Sequence, residues 1–100
     1  PHLRVSRLVS KLVKLLGIDV VCQATTPVVG LQQSSQIERL MLGGLRDQLS
    51  PEQRQQLQGI AAQHGLSHAV RHAAGWVGLE AMSKALCDVI NYVMTAASGR

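Results

Sequence analysis

Three side-chain groups in this sequence are of types and spacings that can do chemistry. His64, His68 and His72 recur four residues apart, so on one helix His68 and His72 would place two imidazoles on one face, within reach of a transition metal. Their neighbourhood supplies no Asp, Glu or Cys as an obvious further ligand, and Gly65 and Ser67 interrupt the row after His64. These are weak metal candidates, and ordinary surface or cap histidines are the plainer reading; a pH-responsive row lies between the two. Arg4, Arg7, Lys11 and Lys14 form the second group, four cations with no acid before Asp19. Trp76, set between Gly75 and Gly78, is the third: an anchor for a partner, or a core residue at a bend, the commoner fate of a lone tryptophan.

No catalytic constellation accompanies them. Cys22 and Cys87 lack a cysteine–histidine signature, no serine sits in a G-x-S-x-G setting, and no glycine-rich loop could cradle a phosphate. The six carboxylates are scattered and suggest no acid–base pair. The sequence therefore reads as non-enzymatic, with no cofactor.

The elements that position these groups are helical. Over Leu3–Leu16, Val5, Leu8, Val9, Leu12, Leu15 and Leu16 share one side at 100° per residue, and Arg4, Arg7, Lys11 and Lys14 share the other. Gly17 stops this helix, and a packed loop with at most a short helical turn is expected from Asp19 to Ser34, because Thr25-Thr26-Pro27 and Gly30 break both periods. Ser35-Gln36-Ile37-Glu38 has capping-box spacing and opens a second helix with Ile37, Leu40, Met41, Leu42 and Leu45 inward; its Gly43-Gly44 pair would permit close helix packing. Ser50-Pro51-Glu52-Gln53 opens a third, mostly exposed helix ending at Gly65. Ser67 caps a fourth region whose apolar phase flips between Gly75 and Gly78, so separate helices are expected at about 67–75 and 77–96, with Glu80, Lys84 and Asp88 on the solvent side of the last.

Composition fits this plan. One hundred residues suffice for one domain burying about 65% of its unfolded surface. The core must be aliphatic, with 46% hydrophobic residues but no Phe, one Trp and one Tyr. No stretch is apolar enough to span a bilayer. Cys22 and Cys87 sit in apolar runs and are expected as buried free thiols, which points to a reducing, cytoplasmic setting, with the basic first helix adding access to a membrane surface. The net charge is +4. From Ile18 onward six cations meet six acids, so the whole excess lies on the first helix. Starting at Pro1, the chain reads as a piece of a longer one.

Leu8-Val9-Ser10-Lys11-Leu12-Val13-Lys14-Leu15-Leu16-Gly17-Ile18, Ser34-Ser35-Gln36-Ile37-Glu38-Arg39-Leu40 and Leu49-Ser50-Pro51-Glu52-Gln53 follow an order that resembles the YaaW-like family of uncharacterised bacterial proteins. The likeness covers residues 5–60 and rests on helix-capping patterns. It implies a bacterial helical domain associated with a membrane, and transfers no functional residue. The chain departs from that pattern in its Thr25-Thr26-Pro27 linker and in a more charged Ala69–Ala97 stretch.

The resulting expectation is an all-α bundle of four or five helices, residues 1–100 forming one domain, with the second and last helices as its core pair. Its leading role is a protein-interaction module, binding a partner protein or itself. The alternative is peripheral membrane association through Arg4, Arg7, Lys11 and Lys14, whose plain counterpart is a basic side that is merely solvated. Nucleic acid is the least favoured partner, since the chain lacks stacking aromatics.

Overall fold

A computed structural model describes the backbone of residues 2–98 and the side chains of residues 6–97. Among the described residues there are six α-helices, where the sequence suggested four or five, and no strand: α1 (His2–Leu16), α2 (Ile18–Val28), α3 (Ser34–Gly44), α4 (Pro51–His64), α5 (Leu66–Val77) and α6 (Leu79–Ser98), with a 3-10 turn, Arg46–Gln48, after α3. The radius of gyration, 13.0 Å, is that of a fully collapsed chain of this length.

The additional helix is α2, where a loop was expected. Its inward stripe is Ile18, Val21, Cys22 and Thr26, followed by Val29 just past its end, a helical spacing that the Thr-Thr-Pro run obscures. The two threonines do not break it because their hydroxyls turn back on the helix: Thr25 Oγ1 donates to the Val21 carbonyl at 2.6 Å and Thr26 Oγ1 to that of Cys22 at 2.7 Å. Pro27 lies in the last turn, where it forgoes only its own bond to the carbonyl of exposed Gln23.

Three of the joints between helices are single glycines of nearly identical shape. Gly17, Gly65 and Gly78 have φ of +90°, +99° and +90° with ψ of 153°, 163° and 161°. Each amide donates to the carbonyl four residues back, and each carbonyl accepts from the amide four residues on, so one residue ends a helix and begins the next. An L side chain rarely adopts this φ, which is why glycine occupies all three positions. The last joint falls at Gly78, close to the expected phase flip.

Local start signals were only partly as expected. Ser50 accepts from the Gln53 amide at 3.1 Å while Gln53 Oε1 accepts from the Ser50 amide at 2.9 Å, a complete capping box. At α3 the box forms earlier than the sequence suggested: Gln36 Oε1 accepts from the amides of Gln32 and Gln33, each at 3.2 Å, and Glu38 is not a capping residue. Nor does Ser67 cap α5, whose cap is Gly65. Gly43 and Gly44 are not close-packing positions either, since a Cβ at either would meet nothing within 4 Å.

The core is aliphatic and sulfurous. α3 contributes Ile37 and Met41, α6 contributes Met82 and Leu86, and α5 inserts Ala69, Val70 and Ala73; α3 packs against both of the others. Cys22 and Cys87 are buried free thiols, with Cys22 Sγ donating to Met41 Sδ at 3.5 Å. As expected, α4 is largely exposed, with Leu57 its one buried residue, and Glu80, Lys84 and Asp88 line the solvent side of α6.

Candidate functional site

The packing of α1 departs most from expectation. Against α6 and α2 this helix turns Val9 and Val13, which are buried, flanked by half-buried Ser6, Ser10 and Leu12. Burial is thus centred about 100° around the helix from the middle of its leucine side. The leucines expected in the core are left in solvent: Leu8 is 58% exposed, Leu15 79% and Leu16 53%. Arg7, Lys11 and Lys14 are also exposed, on the edge of the helix next to that leucine stripe, and among the described residues none of the three enters an ion pair. The side chains of Arg4 and Val5 lie outside the described residues.

The stripe continues around the corner. Gly17 alone separates the helices, and Val20 in the first turns of α2 is exposed as well. The result is a run of exposed apolar side chains with cations along one side. Large apolar side chains so exposed, next to one another and rimmed by charge, mark an interaction surface. Sequence reasoning found the two-sidedness of α1 but not this exposure. The available signal was Ser6 and Ser10, small residues spaced with Val9 and Val13 as a packing edge.

The histidine row divides into two pairs. His64 and His68 have ring centroids 5.8 Å apart, with the Arg71 Nη2 3.2 Å from His68 Nδ1; His72 meets Trp76 edge-on at 4.7 Å. An Arg beside His68 opposes a cation there, and among the described residues no three His, Cys, Asp or Glu side chains are placed to hold a metal ion. Trp76 is half-buried and packs against the core, so it is neither a free anchor nor fully enclosed.

A buried acid joins α2, α3 and α5. Glu38 is 3% exposed, and burial holds its carboxyl above the usual range, helped by the nearby Asp19 charge and opposed by a hydrogen bond from Ser67. Asp19 Oδ2 pairs with Arg71 Nε at 3.0 Å, while its buried Oδ1 has no hydrogen-bond partner among the described residues. Burial, then the charges of Glu38 and Asp19, push the Cys22 thiol up to about 12, so it is an inert core group rather than a nucleophile.

Between α3 and α4 lies a cleft of about 570 Å³. Its floor includes Leu42, Leu49 and Leu57, and Arg39, Arg46 and Arg54 stand around it; no acid lines it. Arg54 Nη1 donates to the Arg46 carbonyl at 3.2 Å, which holds that guanidinium at the cleft.

Among the described residues no helix is long and apolar enough to cross a membrane. No family model, curated protein or solved structure matches the chain, and none bears on the resemblance to the YaaW-like family.

Proposed function

We propose that this chain is a non-enzymatic helical binding domain that docks on an anionic membrane surface through α1. The observation that carries this reading is the exposure of Leu8, Leu15 and Leu16 beside Arg7, Lys11 and Lys14, none of them ion-paired among the described residues. A helix lying in a lipid interface needs apolar side chains to enter the acyl boundary and cations to meet headgroups, and α1 presents the two side by side. Each cation near an anionic surface contributes about 1 kcal/mol, and the leucines add hydrophobic transfer as they leave water. Exposed leucines on one helix face also suit a bilayer, which deforms around them, better than a protein, which would need a pocket already shaped to them. Self-association through this face would bring like charges together.

Vesicle co-sedimentation tests the reading. Vesicles containing phosphatidylglycerol should bind the chain at low salt, neutral phosphatidylcholine vesicles should bind it weakly, and Arg7→Glu with Lys11→Glu should release it. Equal binding to both lipids, or binding indifferent to the charge reversals and to Leu15→Ser, would refute it.

A further inference from the structure

The cleft between α3 and α4 has the same two ingredients as the α1 face in the opposite shape. Its leucines are recessed: Leu49 and Leu57 are buried, whereas Arg39 and Arg46 on the rim are exposed. A flat bilayer that met the guanidinium groups would not reach those leucines. A small anionic ligand would be poorly held as well, because such ligands bind where most of their surface is enclosed, and this cleft is open along its rim. A helix laid in a groove satisfies both constraints, its apolar side chains reaching the floor while its flanks remain at the rim.

Charge decides which helix. Among the described residues Arg39, Arg46 and Arg54 form no ion pair, and no acid lines the cleft. We infer that this cleft is a second, protein-directed site that takes an acidic amphipathic helix of a partner, apolar residues on Leu42, Leu49 and Leu57 and carboxylates on the three arginines. Guanidinium groups suit that role because their planar donor forks grip carboxylates in pairs. A second copy of this chain is a poor occupant. Of its six acids, Asp19 is paired with Arg71, Asp88 with Lys84, and Glu38 is buried, leaving Asp47, Glu52 and Glu80 without a common helical face. The site is separate from the α1 surface, so the two can be occupied together and the chain would tether an acidic partner to a membrane.

The test uses the full chain and a fluorescein-labelled, helix-forming peptide with leucines at i, i+3, i+4 and i+7 flanked by glutamates, followed by anisotropy. Saturable binding is expected, weakened roughly tenfold or more by Arg39→Glu with Arg46→Glu, as reversal of two facing charges does. It should be little changed by Arg7→Glu with Lys11→Glu, and amide NMR shifts should centre on Leu42, Gly43 and Leu57. Arg39 and Arg46 are exposed, so this double variant should keep its fold, which circular dichroism verifies. The inference fails if the peptide does not bind saturably, if a glutamine-flanked peptide binds as well, or if the α1 variant alone abolishes binding. It also fails if the cleft variant releases phosphatidylglycerol vesicles as fully as the α1 variant does, which would make the arginines lipid contacts. Loss of vesicle binding by the α1 variant with peptide binding intact separates the two sites.

Discussion

The α1 face and the α3–α4 cleft are built from the same residue types, three described cations and several leucines each, yet they differ in whether the leucines are exposed or buried. On α1, Leu8 and Leu15 project beside the cations; in the cleft, Leu49 and Leu57 lie beneath the arginines. Composition alone would score the two surfaces alike. Shape separates them, since an apolar group that projects can enter a soft surface, and one that is recessed must be reached by something narrow. The contrast also separates binding from stability: a projecting leucine contributes little to folding, whereas a recessed one belongs to the core as well as to the cleft.

The sharpest way to break this comparison is to shorten one leucine from each surface. Leu57→Ala should cost about 2–4 kcal/mol in urea unfolding, and Leu15→Ala less than about 0.5 kcal/mol; equal costs would mean that α1 packs its leucines after all. Next come the two charge-reversal pairs. Each should lower affinity for its own ligand by roughly tenfold and leave the other ligand within about threefold, as vesicle sedimentation and peptide anisotropy would show.

A smaller effect sharpens the cleft. Gly43 lines it, and a Cβ there meets nothing within 4 Å, so Gly43→Ala should stabilise α3 by about 0.5–1 kcal/mol while intruding on the peptide site and sparing vesicle binding. The last lever is pH. Glu38 takes up its proton more readily in the folded chain than in the unfolded one, so folding is favoured below the ordinary value of 4.5 and loses that contribution as pH rises above it. Glu38→Gln should therefore raise the melting temperature at pH 7, with the advantage shrinking toward pH 4. A constant difference across that range would remove Glu38 as the titrating group.

Much of the helical plan was legible because its signals are local. Ser50-Pro51 and Gly65 act within one turn of themselves, and the phase flip before Gly78 is a property of one stretch of sequence. What was illegible depended on partners. α2 forms despite Thr25-Thr26-Pro27 because its inward stripe finds a core to enter, and Glu38 is buried rather than capping because α3 starts earlier and turns that face toward α2 and α5. The rotation of α1 has the same origin: periodicity locates an apolar side, but packing against α6 selected the serine–valine edge, whose small residues sit half-buried at that contact. The cleft arginines, Arg39 on α3, Arg46 in the 3-10 turn and Arg54 on α4, lie on three different elements that only the tertiary fold brings together.

The three glycine joints bear on how the chain can be handled. Where one residue both closes a helix and opens the next, almost no free backbone remains for a protease to extend or for an added segment to occupy. Two stretches escape this, residues 29–33 between α2 and α3 and residues 45–50 between α3 and α4. Nicks, affinity tags and spectroscopic labels should be accepted at the first and, given the arginine cleft beside the second, would there become reporters of whatever arrives.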